Sequence, residues 1–96
     1  MSRYYEGFAK PMGYVQLTTL SSAVGLTVPD GTDFAIIQAE AQNVRYRDDG
    51  TNPTATVGTI LTTNNHFVYN GKLSAIKLFE VSARAILNVH FYQTIN

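Results

Sequence analysis

Apolar and polar residues alternate with a period of two along most of this chain, and the runs are separated by glycine, proline and asparagine clusters rather than by helix caps. The pattern predicts strands. Residues 14–20 alternate, Val24, Leu26 and Val28 mark a second strand, and Pro29-Asp30-Gly31 reads as a turn in which proline presets φ and glycine takes a positive one. Residues 34–41 follow. Their run Ala-Ile-Ile-Gln-Ala-Glu-Ala would also suit a helix, but β-branched Ile36 and Ile37 and the nearby turns favour a strand.

Residues 44–48 and 54–61 are predicted as the arms of a hairpin, with Asp49-Gly50 supplying left-handed backbone positions and Gly58 marking a bulge or bend. Residues 67–69 form a short strand closed by Asn70-Gly71, the strongest two-residue hairpin signal, and residues 76–81 follow it. Leu87, Val89 and Phe91 share one face of the last strand. About seven to nine short strands in so short a chain predict an all-β fold, a small antiparallel β-sandwich or jelly-roll-like barrel, because a single open sheet leaves one apolar face wet.

Residues 1–13 break the pattern. Tyr4, Tyr5 and Phe8 follow no strand period and are interrupted by Gly7, Pro11 and Gly13, which predicts an extended N-terminal arm preceding one domain over residues 14–96. Two readings stand for the arm: its aromatics dock into a neighbouring subunit, or they pack on their own domain.

Composition narrows the functional classes. The chain has 96 residues, so it is one domain that buries about 60 to 65 percent of its unfolded surface and needs reinforcement. Cysteine is absent and there are two histidines, which removes disulfides and thiolate sites and leaves too few ligands for a histidine-built zinc site. Partner subunits are the remaining supplement, so a homo-oligomer is expected, with no metal and no cofactor. Seven basic residues balance seven acidic ones, which argues against free nucleic acid as a partner and tolerates assembly. No apolar run approaches the roughly 20 residues that cross a bilayer, and the first residues lack the apolar core of a secretion signal. Synthesis in a cytoplasm is the expectation.

Few residues offer chemistry. His66 and His90 fall in separate predicted strands without a serine and acid arrangement beside them, so surface imidazoles are expected rather than catalytic ones. Asp48 and Asp49 are adjacent and point to opposite faces of a strand, or cap backbone N–H groups at a turn. The series Asp48, Gly50, Asn52 departs from the calcium loop, and Asn52-Pro53-Thr54 fails as a glycosylation acceptor because of its proline. Neither a glycine-rich phosphate loop nor a dinucleotide fingerprint occurs. Arg45 and Arg47 lie two apart and project from one strand face, which suits either a carboxylate surface on another chain or cross-strand pairing with Glu40 or Asp48. The expected contact set is therefore Tyr4, Tyr5, Phe8, Arg45, Arg47, Asp48 and Asp49.

The succession Leu-Thr-Val-Pro at 26–29, Ala-Ile-Ile-Gln-Ala-Glu-Ala-Gln-Asn-Val-Arg-Tyr-Arg-Asp-Asp-Gly-Thr at 35–51 and Pro-Thr-Ala-Thr-Val-Gly at 53–58 resembles small virion-associated proteins of tailed bacteriophages. Tyr-Asn-Gly-Lys-Leu-Ser-Ala-Ile at 69–76 and Leu-Asn-Val at 87–89 continue it, so the resemblance covers about residues 14–92, and the arginine and aspartate stretch is its most specific part. It implies a non-enzymatic virion component, assembled in the host bacterial cytoplasm. A capsid decoration or cement protein on the major capsid protein or other virion proteins is the leading expectation. The alternatives are a fibre or tail module that binds a host glycan or receptor through loops at 49–53 and 64–66, and a head-tail adaptor.

Overall fold

A computed structural model describes residues 9–95, which form seven strands and no helix. They are β1 (Ala9–Leu17), β2 (Phe34–Glu40), β3 (Val44–Arg47), β4 (Thr59–Leu61), β5 (His66–Tyr69), β6 (Lys77–Glu80) and β7 (Ile86–Thr94). Two antiparallel sheets result, one in the order β1-β7-β2-β5 and one in the order β4-β3-β6.

The period-two pattern sorts each strand between core and exterior. In β2, Ala35, Ile37 and Ala39 are buried, while in β7 Leu87, Val89 and Phe91 turn the same way. Small faces large across the ladder, Ala35 opposite Phe91 and Ala39 opposite Leu87, so the inner surface stays level enough to pack closely. Val44, Leu61 and Leu78 from the second sheet join the same cluster, and Tyr46 meets Phe67 and Tyr69 at ring separations of 5.5 and 6.0 Å. One core therefore lies between the two sheets.

Residues 34–40 are a strand, one residue shorter than expected, ended where Ala41 turns to φ +73°. The turn at Pro29-Asp30-Gly31 also forms, with Thr32 N donating to Pro29 O at 3.2 Å and Gly31 at φ +86°. Other expectations need correction. Val24, Leu26 and Val28 do pack on the core, but the segment makes only an isolated bridge, Val24 to Leu78, along the edge of β6. A backbone that leaves the ladder after two bonds is not a strand, however regular its side chains.

Asn70-Gly71 does not close a hairpin. The strand before it pairs with β2 in one sheet and the strand after it pairs with β3 in the other, so the dipeptide belongs to a crossing between sheets. Gly71 is not among the positive-φ glycines; a Cβ there would lie 2.5 Å from the Tyr69 hydroxyl. Space for a ring, not a left-handed turn, requires glycine at this position.

Part of the segment expected as an arm, residues 9–13, is a strand. Ala9, Lys10 and Pro11 pair with Thr94, Gln93 and Tyr92, and a bulge between Pro11 and Gly13 interrupts the ladder. Residues 9–13 are thus part of an edge strand, where Lys10, Pro11 and the bulge discourage a further strand from adding. Tyr4, Tyr5 and Phe8 lie outside the described residues.

Candidate functional site

The expected hairpin forms, but its loop is long. β3 pairs with β4 through Val44 opposite Leu61, Arg45 opposite Ile60 and Tyr46 opposite Thr59, leaving residues 48–58 between them. Arg45 lies beside Ile60 and Phe79 on the outer face of the three-stranded sheet and donates Nε to Ala55 O at 3.1 Å and Nη1 to Gly58 O at 2.7 Å. Thr54 Oγ1 accepts from Thr56 N and Val57 N, Pro53 is buried, and Gly58 sits at φ +134° with Tyr46 O 3.0 Å from where a Cβ would be. Loops closed in this way are compact surface units.

Arg47 takes a different partner from those expected. It makes a bidentate contact with Asp49, Nε to Oδ1 at 3.0 Å and Nη2 to Oδ2 at 2.6 Å. Hydrogen bonding to Asp49 raises the Arg47 guanidinium from its ordinary pKa, and the same bond to Arg47 holds the Asp49 carboxyl below its own. Asp48 points the other way and accepts the Tyr69 hydroxyl at 2.7 Å. Burial, followed by the bond to Asp48, pushes the Tyr69 phenol up to about 12. Within the chain, Arg45, Arg47, Asp48 and Asp49 therefore all have intramolecular partners, and Glu40 is not one of them.

The outer face of the four-stranded sheet contrasts with this. Register places Gln16, Asn88, Gln38 and His66 in one row across all four strands, and Tyr14, His90, Ile36 and Val68 in the next. A third row holds Pro11, Tyr92 and Phe34. Asn88 is the hub of the first row. Its Oδ1 accepts from Tyr14 Oη at 2.6 Å and Gln16 Nε2 at 3.0 Å, and its Nδ2 donates to Glu40 Oε1 at 2.8 Å and Gln38 Oε1 at 3.3 Å.

The aromatic side chains run diagonally over this surface. Tyr14 and His90 are 4.7 Å apart, His90 and Tyr92 6.5 Å, and Tyr92 and Phe34 5.3 Å in a near-parallel stack. Two depressions result. A polar one of about 390 Å³ lies between Tyr14, Gln38, Glu40, His66, Asn88 and His90, and a larger, more apolar one is lined by Phe34, Ile36, Val68 and Tyr92. Val68 is 57% exposed on an edge strand, which leaves this second depression open on one side.

The two histidines, expected in separate strands, come to the same depression from β5 and β7. No sequence motif marks this face. Its signal is the outward set of each strand, positions 34, 36, 38 and 40 with 88, 90 and 92, and it becomes a surface only once the register of β1 against β7 is known. Compared with family models, with curated proteins and with solved structures, the chain matches none.

Proposed function

We propose that this protein is a non-enzymatic structural component of a tailed-phage virion, a decoration or cement protein that stabilises the assembled particle through subunit contacts. The two sheets are read as a small β-sandwich of jelly-roll type, and the chain works as a homo-oligomer on the major capsid protein or on other virion proteins. A protein that binds only the assembled shell favours that state by its binding free energy, and many symmetry-related copies make small interfaces sufficient.

The observation that carries this reading is the open apolar depression beside Val68, Phe34 and Tyr92. Aromatic and aliphatic groups exposed together at a sheet edge are the composition of an interface centre rather than of a solvated face. Tyr4, Tyr5 and Phe8 precede the strand that borders it and would supply anchors of matching chemistry to a neighbouring subunit. The resemblance over residues 14–92 supplies the phage context. The neutral net charge fits a partner other than free nucleic acid.

Quantitative mass spectrometry of purified particles tests the reading. Expected is a fixed copy number per particle that falls on Val68→Glu or on removal of residues 1–8, while the isolated domain keeps its fold. Removal must stop at residue 8, because Ala9 begins β1. Particles purified without any of this protein would overturn the proposal.

A further inference from the structure

We infer that the polar depression on the outer face of the β1-β7-β2-β5 sheet binds a neutral saccharide, one sugar ring held by adjacent hydroxyls. The inference rests on hydrogen-bond capacity at that depression and not on where the protein sits in a particle. A sugar hydroxyl both donates and accepts, so it is best held where free donors and free acceptors alternate.

Asn88 provides that alternation by using all of its own capacity. With two bonds accepted at Oδ1 and two donated at Nδ2, it has nothing left for a ligand, and it fixes four neighbours instead. Each neighbour then keeps hydrogen-bonding capacity that has no partner among the described residues. Gln16 Oε1 and Glu40 Oε2 accept, Gln38 Nε2 donates, and the Tyr14 oxygen retains acceptor capacity. The imidazoles of His66 and His90 flank them. Pre-ordering by a shared hub lowers the entropy that a ligand would otherwise lose in fixing long side chains.

Shape and charge select among ligands. At about 390 Å³ the depression stands near the lower end for small-molecule sites, which suits a single ring. The tilted Tyr14 and His90 rings and Ile36 give one apolar wall for the C–H face of a sugar. Glu40 is the only Asp, Glu, Lys or Arg among the lining residues. An anionic sugar or a phosphate would meet the Glu40 carboxylate and no lysine or arginine, which disfavours an anion, while the mixed donors and acceptors favour a ligand held through its hydroxyls.

The test is a chemical-shift titration of the full chain with the methyl glycosides of glucose, galactose, mannose and N-acetylglucosamine, with glucuronic acid as the anionic probe. At least one neutral glycoside at about 50 mM, enough to register millimolar Kd values, is expected to shift the side-chain amides of Gln16, Gln38 and Asn88. Gln38→Ala should weaken that binding about tenfold, one hydrogen bond's worth, with an unchanged unfolding midpoint. The conservative Gln38→Glu, which replaces the donor by an acceptor, should weaken it as well. No shift with any of the four neutral probes, shifts confined to Phe34, Val68 and Tyr92, or stronger binding of glucuronic acid would overturn the inference. None of these outcomes bears on particle occupancy, which tests the virion reading separately.

Discussion

The loop between β3 and β4, with the end of β3 that leads into it, and the outer face of the four-stranded sheet both carry hydrogen-bonding side chains, yet they differ in what those side chains have left to offer. In the loop and the strand that enters it, two arginines and two aspartates have intramolecular partners: Arg45 on the Ala55 and Gly58 carbonyls, Arg47 on Asp49, Asp48 on the Tyr69 hydroxyl. On the sheet face, Asn88 is saturated so that Gln16, Gln38 and Glu40 each present a free polar atom. Charge in a sequence draws attention to the first region. Unpaired capacity in the fold draws it to the second.

Substitutions that break the part-buried contacts of the loop should therefore lower stability, and substitutions at exposed positions of the loop or of the face should not. The largest effect is expected at Gly58→Ala, where φ +134° and the close Tyr46 carbonyl combine, and urea unfolding should show a loss of about 3 kcal/mol. Arg45→Ala should follow at about 2 kcal/mol, since it removes two bonds from a charged donor and leaves two carbonyls to find water. For this reason Arg45→Ala cannot serve as a clean probe of an intersubunit role.

Tyr69 adds a pH dependence. Its folded pKa of about 12 lies above the ordinary phenol value of 10.0, so its contribution is complete below pH 10 and disappears as pH rises towards 12, where the unfolded state has already released the proton. Denaturation followed between pH 9 and 12 should show stability falling by on the order of 2 kcal/mol, a fall that Tyr69→Phe abolishes. The smallest effects are expected from Arg47→Ala and Gln38→Ala. Arg47 and Asp49 pair on the exposed surface, where solvent screens the contact, and Gln38 points outward, so neither change should move the urea midpoint resolvably. A drop for Gln38→Ala equal to that of Arg45→Ala would erase the distinction between the two regions.

Much of the fold was legible because it depends on local alternation. The shared face of Leu87, Val89 and Phe91 in β7, the strand character of residues 34–40 and the turn at Gly31 all follow from side chains within one segment. What was illegible depends on pairing across the chain. Val24, Leu26 and Val28 alternate like a strand and face the core, yet the ladder bonds go elsewhere. Asn70-Gly71 has the composition of a tight turn, and only the Tyr69 ring above Gly71 reveals the actual constraint. The candidate face lies deepest in this class. Tyr14 and Asn88 are 74 residues apart, and no local pattern announces that a phenol and an amide so far separated share a hydrogen bond.

The most direct test of the contrast is side-chain hydrogen exchange followed by NMR on the unliganded protein. Arg45 Nε–H, bonded to the Ala55 carbonyl in a partly buried position, should exchange much more slowly than the Nε–H of exposed Arg84, while the Gln38 side-chain amide exchanges without protection. An Arg45 proton that exchanges as fast as that of Arg84, together with a protected Gln38 amide, would contradict the account, because the arginine would then be the free group and the sheet face the occupied one.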